Sequence, residues 1–69
     1  MRNKTLTRFG NKVRAERLRQ GISQERLGEL AKVHRTYIGM IERSEKNITL
    51  SNIEKVAKAL KIRMSDLVD

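Results

Sequence analysis

The sequence predicts an all-α domain of five short helices, and three observations carry that expectation. Proline is absent, and aromatic residues are limited to Phe9 and Tyr37. Charged residues make up 35% of the chain, and the apolar ones recur at helical rather than alternating spacing. The chain of 69 residues holds no cysteine and one histidine. Disulfides, a thiolate metal site and a histidine metal centre are therefore unavailable as staples. A single domain of this length buries only roughly 60% of its unfolded surface, so pairing of two copies is the expected extra source of stability.

In chain order, Thr5 or Thr7 is a candidate N-cap for a first helix with the apolar stripe Leu6, Phe9 and Val13. Gly21 suits the left-handed position that ends it. Ser23 is a favoured cap for the second helix, with Ile22 and Leu27 placed as a hydrophobic staple. That helix carries Leu27, Leu30 and Ala31 at helical spacing, while small residues at Gly28 and Ala31 let a neighbour cross closely. Val33 is the one apolar residue of the turn that follows. A third helix is expected from His34 or Arg35 to about Arg43, with Ile38 and Ile41 facing inward and Val33 and Ile38 as a second staple. A polar loop from Ser44 to Asn47 leads into a fourth helix. Ser51 and Glu54 have capping-box spacing there, and Ile53, Val56, Ala57 and Leu60 form one face. Ser65 can cap a last turn carrying Leu67 and Val68.

Residues 23–43 thus read as a helix-turn-helix inside a single domain spanning residues 1–69, and Arg35, Thr36, Tyr37, Gly39, Met40 and Arg43 face outward on its second helix. The net charge of +8 is uneven. Residues 1–20 hold seven basic side chains and one acid, Glu16. Such a balance points to a polyanionic partner, with nucleic acid ahead of a membrane surface, the alternative being that it only keeps the chain soluble. No apolar run approaches the ~20 residues of a spanning helix and no signal-peptide core is present, so a soluble, cytoplasmic protein is expected. No nucleophile–base pair, paired carboxylates or phosphate loop argues for an enzyme, and no cofactor is implied.

The runs ISQERLGELA, RTYIGMIER, NITL and AKAL resemble the lambda-repressor-like, XRE-type helix-turn-helix family, and within it the controller proteins of restriction-modification systems. The resemblance spans roughly Phe9 to Leu67. It implies a five-helix homodimer that binds palindromic operators in duplex DNA and activates or represses transcription, with RNA polymerase left open as a further partner. An XRE-type repressor, or an antitoxin acting through a protein partner, is the alternative. The resemblance also implies a partly buried Arg17–Glu42 ion pair between the first and third helices; Glu16, which faces inward on a helical wheel with Phe9 and Val13, is a candidate member of the same network. Three positions depart from the family pattern. Lys32 stands where glycine is usual, so a left-handed backbone there would cost on the order of 1 kcal/mol. His34 replaces the common Asp or Ser cap, and Gly28 replaces alanine at a cost of ~1 kcal/mol to the second helix.

Arg35 is the first candidate for reading a base, because its fork can donate two hydrogen bonds to guanine O6 and N7; a phosphate contact is the alternative. Thr36 offers a hydroxyl and a methyl group, and Met40 can meet a thymine methyl. Tyr37 is a candidate base-step or phosphate contact through its hydroxyl, against packing under the loop. Ser23 and Gln24 open a helix whose amides suit a phosphate. Arg43, Ser44, Lys46 and Asn47 are expected to form a second clamp on the backbone, and Arg17 is a further phosphate candidate. Ile48, Leu50, Ile62, Met64, Leu67 and Val68 exceed what one small domain can cover and are the expected dimer surface.

Overall fold

Apolar residues from all five helices meet in one core. The computed structural model describes residues 4–45 and 48–68. Within them lie α1 (Lys4–Arg19), α2 (Gln24–Ala31), α3 (Arg35–Glu42), α4 (Leu50–Leu60) and α5 (Met64–Val68). Phe9 and Val13 of α1, Leu27 and Ala31 of α2, Ile38 and Ile41 of α3, Val56, Ala57 and Leu60 of α4, and Leu67 of α5 are buried together. Each fully buried aliphatic side chain among them contributes ~1.5–3 kcal/mol relative to exposure. None of the described helices is long and apolar enough to cross a membrane.

The helix starts follow from side-chain acceptors. Ser23 Oγ accepts from the Arg26 amide at 2.9 Å, as expected of a cap. His34 caps α3 as well, its Nδ1 accepting from the Thr36 amide at 3.0 Å. Two expected caps are corrected at the C-terminal side. α4 is capped by Thr49, whose Oγ1 accepts from the Asn52 amide, so Ser51 and Glu54 lie inside the helix and form no capping box. Ser65 lies inside α5; the Asp66 carboxylate instead accepts from the Arg63 amide at 3.1 Å. Thr5 and Thr7 likewise lie inside α1.

The ends of α1 to α4 share one device. At Gly21, Lys32, Ser44 and Lys61 the backbone turns left-handed, with φ of 70°, 61°, 58° and 59°. In each case this residue and the next donate their amides back to carbonyls of the last turn, as with Gly21 to Leu18 and Ile22 to Arg17. Only Gly21 takes up that conformation free of a Cβ clash.

Two surface assignments change. Leu30 is 42% exposed, because α2 turns Gly28 inward against α3 and swings Leu30 toward solvent. Leu67 is wholly buried and belongs to the core rather than to a dimer surface. Ile48, Ile62 and Met64 are half-buried against the core, whereas Leu50 is 72% exposed. The Val68 side chain lies outside the described residues.

Candidate nucleic-acid interface

The turn between α2 and α3 is as tight as its glycine allows. A Cβ on Gly28 would sit 2.7 Å from the Val33 carbonyl oxygen and 3.1 Å from the Arg35 nitrogen. Gly28 therefore does more than loosen α2: it lets the start of α3 cross directly over that helix. Gly10 does the same on the other side, where a Cβ would meet the Ile41 carbonyl at 2.4 Å. These two contacts seat α3 between α1 and α2 with its first turn facing out. An open cleft of about 710 Å³ lies along that turn, lined by Arg17, Ser23, Gln24, Glu25, Arg35, Thr36, Gly39 and Arg43.

The floor of the cleft is an ion pair. Arg17 donates from Nε to Glu42 Oε2 at 2.7 Å and from Nη2 to Oε1 at 3.0 Å, while Nη1 donates to the Ile22 carbonyl at 2.9 Å. Gln24 Nε2 adds a bond to Glu42 Oε1 at 3.1 Å. The carboxylate thus ties α1, α2 and α3 together, and its hydrogen bonds raise the Arg17 pKa above its usual value against the opposing effect of burial. Two expectations are corrected here. The Arg17 guanidinium is committed within the fold and its side chain is 90% shielded, so it is a brace, not a free phosphate ligand. Glu16 lies outside this network, pairing instead with Arg19 and Gln20 on α1.

The rim is exposed. Arg35 and Thr36 open α3 beside Ser23 at the start of α2, and Arg35 reaches across to Glu25. Arg43 stands past the end of α3 with Nε 2.8 Å from Glu45 Oε2, which raises its pKa. Gly39 keeps the middle of the cleft open between Arg43 and Gln24. Met40 is half-buried. Tyr37 is half-buried as well and packs against the core, as in the packing alternative; its hydroxyl accepts from Asn52 Nδ2 at 2.9 Å and retains its own proton. Ser44 is corrected outright: it is 8% exposed, and its hydroxyl donates inward to the Leu6 carbonyl. Lys46 and Asn47 lie outside the described residues.

The sequence reading did not single out Glu25, Gly10 or Asn52. A glycine between Phe9 and Val13 inside a helical stripe is a legible sign of close packing. Glu25 could have been found as the acid beside Gln24 on the helix start that faces Arg35. Nothing local marks Asn52.

Two helices crossing at a sharp turn, the second presenting its N-terminal turn over a cationic cleft, define a DNA-binding domain of the helix-turn-helix class. The chain belongs to the helix-turn-helix family, which it matches over residues 13–67. It is 47% identical over 70 residues to control protein C.BamHI of Bacillus amyloliquefaciens, a match covering 100% of this chain and 86% of that protein. The crystal structure of the restriction-modification controller protein C.AhdI from Aeromonas hydrophila superposes with a TM-score of 0.87 at 42% identity, covering 90% of this chain and 94% of the other. The c2 repressor protein in complex with a synthetic operator aligns with a TM-score of 0.82 at 31% identity, over 88% and 92% of the two chains. The chain is a DNA-binding transcriptional regulator similar to the controller proteins.

Proposed function

We propose that this chain is the controller of a restriction-modification system and binds a palindromic operator in duplex DNA as a cytoplasmic homodimer. The observation that carries the reading is the exposed first turn of α3, with Arg35 and Thr36 standing over a cleft whose floor is cross-linked by Arg17, Glu42 and Gln24. A rigid floor under an exposed helix end is what insertion into a major groove requires. Arg35 donates to guanine O6 and N7, Thr36 meets an adjacent base edge, and Met40 touches a thymine methyl further along. Ser23 and the first amides of α2 take one phosphate, with Gln24 contributing while its amide nitrogen stays on Glu42. Arg43 grips the backbone past the end of α3, and Lys46 and Asn47 complete that clamp. The Tyr37 hydroxyl points its remaining proton toward a phosphate.

Two copies paired through a surface drawn from Leu50, Ile48, Ile62 and Met64 would set the reading helices about one DNA turn apart, ~34 Å. Exposure of Leu50 at 72% supports a partner on that surface. RNA polymerase is a further partner where the regulator activates. The chain acts by binding and not as an enzyme.

Selection of bound duplexes from a random pool, followed by sizing of the complex, tests the reading. The expected result is a two-fold symmetric site occupied by two chains. Arg35→Ala should abolish or relax that preference with helical circular dichroism unchanged, because a bidentate contact is worth ~1–3 kcal/mol of discrimination. Gln24→Ala should weaken all duplexes alike. A wild-type chain that binds every duplex equally, or only as a monomer, would end the proposal.

A further inference from the structure

One carboxylate in the cleft has no part in the roles above. Glu42 is saturated by Arg17 and Gln24, but Glu25, one residue into α2, meets a different partner. Its Oε2 lies 3.4 Å from Arg35 Nη1, with the two side chains 66% and 64% exposed. An acid at the start of a helix favours the helix itself, which accounts for Glu25 standing on α2. It does not account for its reach across the turn to the residue that faces the bases. On a surface that receives phosphates, a carboxylate paired with the reading guanidinium weakens the attraction that every sequence shares.

We propose that Glu25 is the positioning residue that sets sequence discrimination, by holding Arg35 away from phosphates and yielding it only to a matching base edge. The inference rests on the DNA-binding reading. Away from its operator, Arg35 can pair with a phosphate or with Glu25. The carboxylate is tethered alongside and always present, so it competes for the fork, and non-specific duplex loses one cationic contact. On the operator, two parallel bonds to a guanine outcompete one long, solvent-screened contact, and the guanidinium turns outward. Glu25 is then left facing the groove, where a cytosine amino group is the base-edge donor that a carboxylate accepts from. Selectivity arises from penalising the wrong duplex as well as from rewarding the right one.

The test is Glu25→Gln, which keeps shape and removes charge, in the full chain. Affinity is measured against the selected operator and a scrambled duplex at several salt concentrations. The scrambled duplex should bind roughly three- to tenfold tighter, and its salt slope should steepen by about one for each chain as Arg35 takes a phosphate. Operator affinity should change less, so the ratio of the two falls. In an Arg35→Ala background the gain on scrambled duplex should disappear. An unchanged ratio in Glu25→Gln, or a gain of the same size without Arg35, would overturn the role of Glu25 while leaving DNA recognition standing. A wild-type chain that already fails to discriminate would remove both readings together.

Discussion

Of the arginine–glutamate pairs around the cleft, two do opposite things. On the floor, Arg17 and Glu42 share two short bonds, and their side chains are 10% and 4% exposed. On the rim, Arg35 and Glu25 share one contact of 3.4 Å with both side chains about two-thirds exposed. The charges are identical; water decides the outcome. A shielded pair cannot lose one member without stranding the other, so it fixes the mutual placement of three helices. A solvated pair exchanges partners at little cost, which suits a group that must leave its resting place to meet DNA.

The largest effect should come from breaking the floor. Arg17→Ala leaves Glu42 uncompensated and is expected to cost ~3–5 kcal/mol, read as a collapse of the thermal transition. If that variant melts within a few degrees of wild type, the contrast between floor and rim is lost. Replacing both partners, as Arg17→Met with Glu42→Leu, should recover much of the stability, since apolar pairs of like volume often equal a buried ion pair.

Glycines sharpen the same contrast. Gly28→Ala pushes a methyl group into backbone at 2.7 Å and should destabilise by ~1–3 kcal/mol. At Gly39 the nearest atom is Arg43 Nη1 at 3.0 Å, the free end of a flexible chain that can move aside. Gly39→Ala should therefore melt within about 0.5 kcal/mol of wild type, as substitutions without a buried conflict do. Equal costs at the two sites would mean that the crossing is looser than the distances imply.

Lys32→Gly and Lys61→Gly act on the turns that end α2 and α4, and each should stabilise by about 1 kcal/mol. In a domain this small that is a rise of ~4–8 °C in melting temperature. The smallest effect belongs to the rim itself. Arg35→Ala should leave stability within about 0.5 kcal/mol of wild type in chemical denaturation, its consequence being confined to binding.

Much of this arrangement was legible in the residues. Stripes such as Phe9–Val13 and Val56–Leu60 place the core because only one face of each helix is apolar, and Ser23 marks a helix start by its chemistry. The family resemblance puts Lys32 in a left-handed turn, and it stands there at φ 61°. The Arg17–Glu42 pair came from family resemblance, since nothing in the spacing of two charges 25 positions apart announces it. What sequence could not settle were choices between near equals. Thr49 and Ser51 are both good caps two residues apart, and only the path of the loop selects Thr49. Ser44 reads as a polar loop residue until a left-handed backbone turns its hydroxyl toward Leu6. Leu67 reads as surplus apolar surface until α5 folds back over α1 and α4.

The lysines at the ends of α2 and α4 have a bearing on the life of the protein in a cell. A left-handed residue with a side chain raises the folded state in energy without touching any ligand, so the chain opens more often than one ending its helices in glycine. Open chains are the ones that proteases clear, and a change of a kcal/mol or two can alter abundance several-fold. These two positions, one of them inside the α2–α3 turn, thereby help set how long each copy lasts, and so how closely the amount of regulator follows its rate of synthesis.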